Sequence, residues 1–180
     1  MIEVSTLNTD VDFHSGLSHN LSLRVRHGTD HLILYTAYNV KSLLECSRER
    51  TSYQQRLLPT LSVFVRHLFH HCQLTPTLLV VTLIYLQRLK EGLPRHSKGE
   101  FDTPYKIFIA AVVLATKFIE DKSTITQSIY RFISPLYKAR DINEMERSFL
   151  GVVKYNLFVD LSEVHEFVKN HKDLLEFDLQ

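Results

Sequence analysis

Residues 103–121 read TPYKIFIAAVVLATKFIED, and from Ile107 to Ala115 every position is apolar. A surface helix keeps one polar side, whereas a helix that is apolar all round must be wrapped by other elements. Lys106 and Lys117 bound the apolar stretch, which is too short to span a bilayer. The segment therefore predicts a central helix. Thr103 is its expected N-cap and Pro104 its first helical residue, where the missing amide costs nothing. It should run to about Glu120, and Ala111 and Ala115, one turn apart, let a neighbouring helix approach closely.

Outward from this hub, the chain reads as helices with one apolar side. Leu61, Phe64, Val65, Leu68 and Phe69 follow the i, i+3, i+4, i+7, i+8 template across Thr60 to Cys72. Thr75-Pro76 repeats the cap-then-proline signal and opens a helix that stops at Glu91-Gly92 and Leu93-Pro94, leaving Arg95 to Glu100 as a loop. Thr124 with Gln127, Asp141 with Glu144, and Asp160 with Glu163 have capping-box spacing and mark further starts. The Asp141 helix carries Met145, Phe149, Val152 and Val153 on one side. The final helix, about 161–175, carries Val164, Phe167, Val168, Leu174 and Leu175. A first helix runs from Thr29 or Asp30 to about Cys46, with Leu32, Tyr35, Val40, Leu43 and Leu44 on its apolar side. Residues 1–28 are polar and are expected to pack weakly or stay disordered. The expected fold is all-α: one domain, residues 29–180, with five helices at about 58–159 arranged around a central helix and one extra helix at each end.

The whole-chain properties agree with a single domain. A chain of 180 residues with 44% hydrophobic content can bury a sizeable core. Lys plus Arg number 21 against 20 for Asp plus Glu, a net charge of +1, so no basic surplus points to nucleic acid. Met1 to His14 has neither a basic n-region nor an apolar h-region, and no membrane span is expected. Cys46 and Cys72 are the only cysteines and read as ordinary thiols of a protein of the nucleus and cytoplasm. No glycine-rich phosphate loop, nucleophile elbow or CxxC motif occurs, so neither catalysis nor a cofactor is expected. His67 and His71 are four apart with Cys72 adjacent, a spacing that can hold zinc. They lack an intervening glutamate and a second ligand cluster, so they read as polar-face residues and no metal site is expected.

Two separate segments carry a family resemblance. Thr103 to Asp121, with its Ala-Thr-Lys-Phe segment, and Ile142 to Leu150, INEMERSFL, resemble the third and fifth helices of a cyclin box. Residues 62–89, SVFVRHLFHHCQLTPTLLVVTLIYLQRL, resemble the first two box helices of the fungal Pcl and Pho group. The likeness covers about Leu58 to Val159, and only about 20 residues follow, so it implies a single box. It also implies a non-catalytic subunit that binds and activates a cyclin-dependent kinase as a heterodimer. Such a subunit reaches the kinase's substrates only indirectly, in cell cycle, morphogenesis or nutrient response. The alternative is a cyclin-fold scaffold or transcription-associated module that binds a protein without switching a kinase. One departure stands out. Cyclins that recruit substrates through a hydrophobic groove carry Met-Arg-Ala-Ile-Leu and a nearby tryptophan, where this chain has Thr60, Leu61, Ser62, Val63 and Phe64 and no tryptophan.

Composition alone singles out Lys117, because an ammonium on an apolar helix must be paired or reach solvent. One reading is a lysine snorkelling outward, where a cation also favours the helix C-terminus. The resemblance implies another: the lysine and glutamate matching Lys117 and Glu146 sit together on the face that grips the kinase. Leu114, Lys117, Phe118 and Asp121 share one helix face by spacing, and Glu146 and Leu150 are likewise four apart, with Tyr155 beyond them. Phe118, Leu150 and Tyr155 fit the core equally well. Asp121 either neutralises an arginine of the kinase's phosphate-receiving cluster or simply ends the loop before Thr124.

Overall fold

The computed structural model describes residues 23–25, 29–51, 57–119, 123–172 and 177–179. Among these, helices follow one another as α1 Asp30–Ser42, α2 Leu61–His71, α3 Pro76–Gly92, α4 Thr103–Ile119, α5 Thr124–Ile133, α6 Ala139–Val152 and α7 Leu161–Asn170. The expected all-α plan holds, with α2 to α6 as the five-helix unit and α1 and α7 at its ends. α4 is the hub: Phe108 to Thr116 are all buried, and the helix packs against α1, α3, α5 and α6. Phe64 of α2 completes the ring, its ring centre 5.3 Å from that of Tyr105 and 6.4 Å from that of Phe108 of α4, both edge-on.

α3 is wrapped as completely as the hub, with Thr77 to Leu86 buried without a break. Three buried threonine hydroxyls inside the helices are satisfied locally. Thr36, Thr82 and Thr116 each donate to the carbonyl four residues back, at 2.8, 2.8 and 2.7 Å. The buried carboxylate of Asp102, just before α4, has Lys106 Nζ 3.0 Å from Oδ1 and receives the Tyr137 hydroxyl at 3.4 Å.

Several helix starts differ from the expected caps. Thr75 caps α3, accepting from the Leu78 amide at 3.2 Å, and Asp160 caps α7, accepting from the Glu163 amide at 2.8 Å. Thr103, however, is the first residue of α4, and its hydroxyl accepts from the Glu100 amide at 2.9 Å. Asp141 is also inside its helix: α6 begins at Ala139, and the Asp141 carboxylate reaches back to accept the Lys138 amide at 2.9 Å. α5 starts at Thr124, with Ser123 outside it.

Two small strand pairs stand beside the helices. Glu45–Cys46 (β2) runs parallel to Lys98–Gly99 (β3), so the chain leaves α1 at Ser42, short of the expected Cys46. Leu23–Val25 (β1) pairs antiparallel with Phe177–Leu179 (β4), placing part of the segment read as a tail in a strand. The rest of residues 1–28 lies outside the described residues, as do Leu174 and Leu175. No described helix is long and apolar enough to cross a membrane.

Gly92 ends α3 where it meets the end of α6. A Cβ there would lie 2.6 Å from the Val152 carbonyl oxygen and 3.1 Å from Val152 Cγ1. Backbone cannot yield as a side chain can, so Gly92→Ala should lose about 1–3 kcal/mol of stability to overpacking, outweighing about 1 kcal/mol of helix propensity. Gly151→Ala, where nothing lies within 4 Å, should instead gain roughly 0.5–1 kcal/mol. Urea unfolding of the two variants beside the parent checks both signs.

Candidate functional site

Lys117 belongs to the last turn of α4, where the hub emerges from the core and its side chain is 46% exposed. Glu146 projects from the middle of α6 with a side chain only 9% exposed. A carboxylate so shielded is costly unless its oxygens are filled. Two other helices fill them: Lys117 Nζ lies 2.6 Å from Oε2, and the Tyr130 hydroxyl of α5 donates to Oε1 at 2.9 Å. The ammonium also stands 6.0 Å from the centre of the Tyr130 ring.

Tyr130 is held as a neutral donor. Burial first, then its hydrogen bond to Glu146 and the charge of that carboxylate, push its hydroxyl up to about 12. The three side chains thus form one charged, hydrogen-bonded cluster joining α4, α5 and α6. An ammonium has three N–H donors and a carboxylate about four lone-pair sites. The internal bonds leave part of that capacity unused within the cluster.

Of the residues expected here, Lys117 and Glu146 are brought into direct contact. Leu114 is 5% exposed and lies in the core beneath them. Phe118 and Leu150 are half-buried, packed on the core with an edge outward. Tyr155 is 73% exposed, beyond the end of α6. Asp121 lies outside the described residues. Tyr130 is the member that sequence spacing does not reveal, since its contact joins residues on different helices. The available signal is an aromatic with a polar tip beside the buried Ile129 and Ile133, which implies a partner for its hydroxyl.

His67 and His71 are both exposed, and the His71 ring packs 5.1 Å from the Phe132 ring. Cys72 is buried, and burial raises its thiol. Among the described residues no three His, Cys, Asp or Glu side chains gather as metal ligands would. A cleft of about 530 Å³ opens at the other end of α4, between Leu89, Asp102, Lys106, Met145 and Phe149, away from Lys117.

A family model described as the cyclin N-terminal domain matches residues 32–158. PHO85 cyclin-1 of Saccharomyces cerevisiae is 35% identical over 108 residues, covering 59% of this chain and 38% of that protein. PHO85 cyclin-9 of the same yeast is 24% identical over 126 residues, 70% of this chain and 41% of that protein. PHO85 cyclin-2 is 22% identical over 134 residues, 74% and 44% respectively. The chain therefore spans less than half the length of these curated relatives. No solved structure gives a significant match.

Tyr130→Phe removes a hydrogen bond to a shielded charge and should cost about 1–2 kcal/mol, the charged-bond value discounted for partial exposure. The difference should shrink in alkali. Above pH 10 the unfolded phenol loses its proton while the folded one keeps it to about 12, so the parent loses stability through that window and the Phe variant does not lose this share. Urea midpoints of the two proteins should converge as pH rises above 10.

Proposed function

Because the chain belongs to the cyclin family, by a domain match over residues 32–158, we propose that it binds and activates a cyclin-dependent protein kinase of the class partnered by the PHO85 cyclins. The chain contributes no chemistry of its own, and phosphoryl transfer belongs to the kinase. The observation that carries this reading is the Lys117–Glu146 pair, fixed by Tyr130 across three helices. A strong charge pair on a rigid face recognises backbone carbonyl and amide groups better than it would serve stability alone.

The binding face comprises Lys117 and Glu146, flanked by Phe118, Leu150 and Tyr155, with Leu114 supporting it from the core. Binding energy on this α4–α6 surface selects the kinase conformation whose regulatory helix brings a glutamate to the catalytic lysine. A partner able to shift that equilibrium must bind the active state more tightly than the inactive one. The helices supply this by presenting their polar groups in one fixed arrangement, which only the active placement of the regulatory helix meets.

Lys117→Ala should weaken binding of a PHO85-class kinase by about 2 kcal/mol or more, roughly thirtyfold in Kd, while leaving helix content unchanged. Glu146→Gln should act in the same direction. Calorimetry on the purified pair, with circular dichroism of each variant, measures both effects. The activator reading is wrong if saturating amounts of the parent chain leave such kinases at their basal rate.

A further inference from the structure

Beyond α6 the chain makes a turn that its own residues do not favour. Lys154 and Tyr155 have φ of 52° and 58°, consecutive left-handed positions without a glycine. The Tyr155 amide donates to the Leu150 carbonyl at 2.9 Å, and the Asn156 amide to that of Val153 at 3.0 Å. These bonds end the helix but leave the following carbonyls to be satisfied elsewhere.

Two side chains of α3, one turn apart, take three successive carbonyls. Arg88 Nη1 donates to the Asn156 carbonyl at 2.9 Å, the Tyr85 hydroxyl to that of Leu157 at 2.8 Å, and Arg88 Nη2 to that of Phe158 at 2.8 Å. Arg88 Nη2 also meets Glu163, at 2.6 and 2.7 Å from its two carboxylate oxygens. The guanidinium side chain is only 15% exposed, and its planar fork is what lets one residue bind two carbonyls and a carboxylate together. The strained turn is thereby fixed to α3 on one side and to the first turn of α7 on the other. Tyr155, 73% exposed, projects from it.

We propose that Arg88 is a positioning residue for kinase binding, holding the 154–158 turn so that Tyr155 stands ready as an apolar arm of the surface that begins at Lys117 and Glu146. This rests on the activator reading above. Arg88 does not touch the kinase. It acts through the turn, which would otherwise sample other backbone states in which Tyr155 points elsewhere.

The test is a double-mutant cycle in kinase affinity, using Arg88→Lys and Tyr155→Ala with a purified PHO85-class kinase, beside urea stability of each variant. Lysine keeps the charge but lacks the planar fork that holds two carbonyls and a carboxylate in fixed positions at once. Arg88→Lys should weaken binding roughly tenfold in the parent and hardly at all once Tyr155 is alanine. Amide hydrogen exchange at residues 155–158 should speed up in the same variant. Glu163→Gln, which leaves the guanidinium in place, should show the same coupling at smaller size and serves if Arg88→Lys folds poorly. An Arg88→Lys penalty that persists in the Tyr155→Ala background, or no penalty beside a clear Lys117→Ala effect, overturns the positioning role alone. If Lys117→Ala also binds like the parent, the activator reading goes with it.

Discussion

Wrapping α4 is the constraint on which the remaining helices depend. A helix with Phe108 to Thr116 buried on every side exists in water only when neighbours cover its whole circumference. α1, α3, α5 and α6 do so, and Phe64 brings in α2 through edge-on ring contacts. The stretch Thr77 to Leu86 of α3 is forced into the same condition, because it lies between the hub and both α1 and α7. The two form a double core that α7 extends and the short strand pairs tie at the margins.

The surface proposed for the kinase begins where that wrapping ends. Lys117 is the first residue of α4 after the buried run that reaches solvent, and there Glu146 of α6 meets both it and Tyr130 of α5. The same packing that excludes water from the hub also shields the carboxylate, which is why it takes bonds from both Tyr130 and Lys117. The proposed recognition surface and the core packing are therefore not separate parts of the molecule. The polar cluster is the rim of the core.

Much of the fold is legible in the chain because the strongest signals are the most local. Ile107 to Ala115 can only be a buried helix, and Thr75-Pro76 and Asp160 mark their helix starts correctly. Thr103 marks its start one residue late and Asp141 three, since an aspartate or threonine can accept an orphan amide from inside the first turn as well as at the cap. The burial of α3 is written in Leu78 to Leu86, but its polar last turns make it look like an ordinary amphipathic helix. The two-residue strands have no alternation to read. At the site, spacing relates Lys117 to Phe118 and Glu146 to Leu150, yet it cannot join one helix to another. That link came from the family resemblance, and Tyr130 and Arg88, whose partners lie across helices, remained outside both.

Glu146 has one further consequence. Its side chain is only 9% exposed in the chain by itself, so if the kinase docks here as proposed, the energy of drying and orienting this charge is an expense of folding and not of association. The encounter can then proceed close to rigid-body docking, with little side-chain freedom lost at the centre of the contact. It also couples two properties usually treated apart. Whatever loosens Tyr130 of α5 from Glu146 rehydrates the carboxylate, and on the proposed reading the loss would appear as weaker affinity even when the altered residue is far from the partner. On the proposed reading, natural variation in the buried layer under this rim would thus tune how strongly the kinase is held, without changing a single contact between the two proteins.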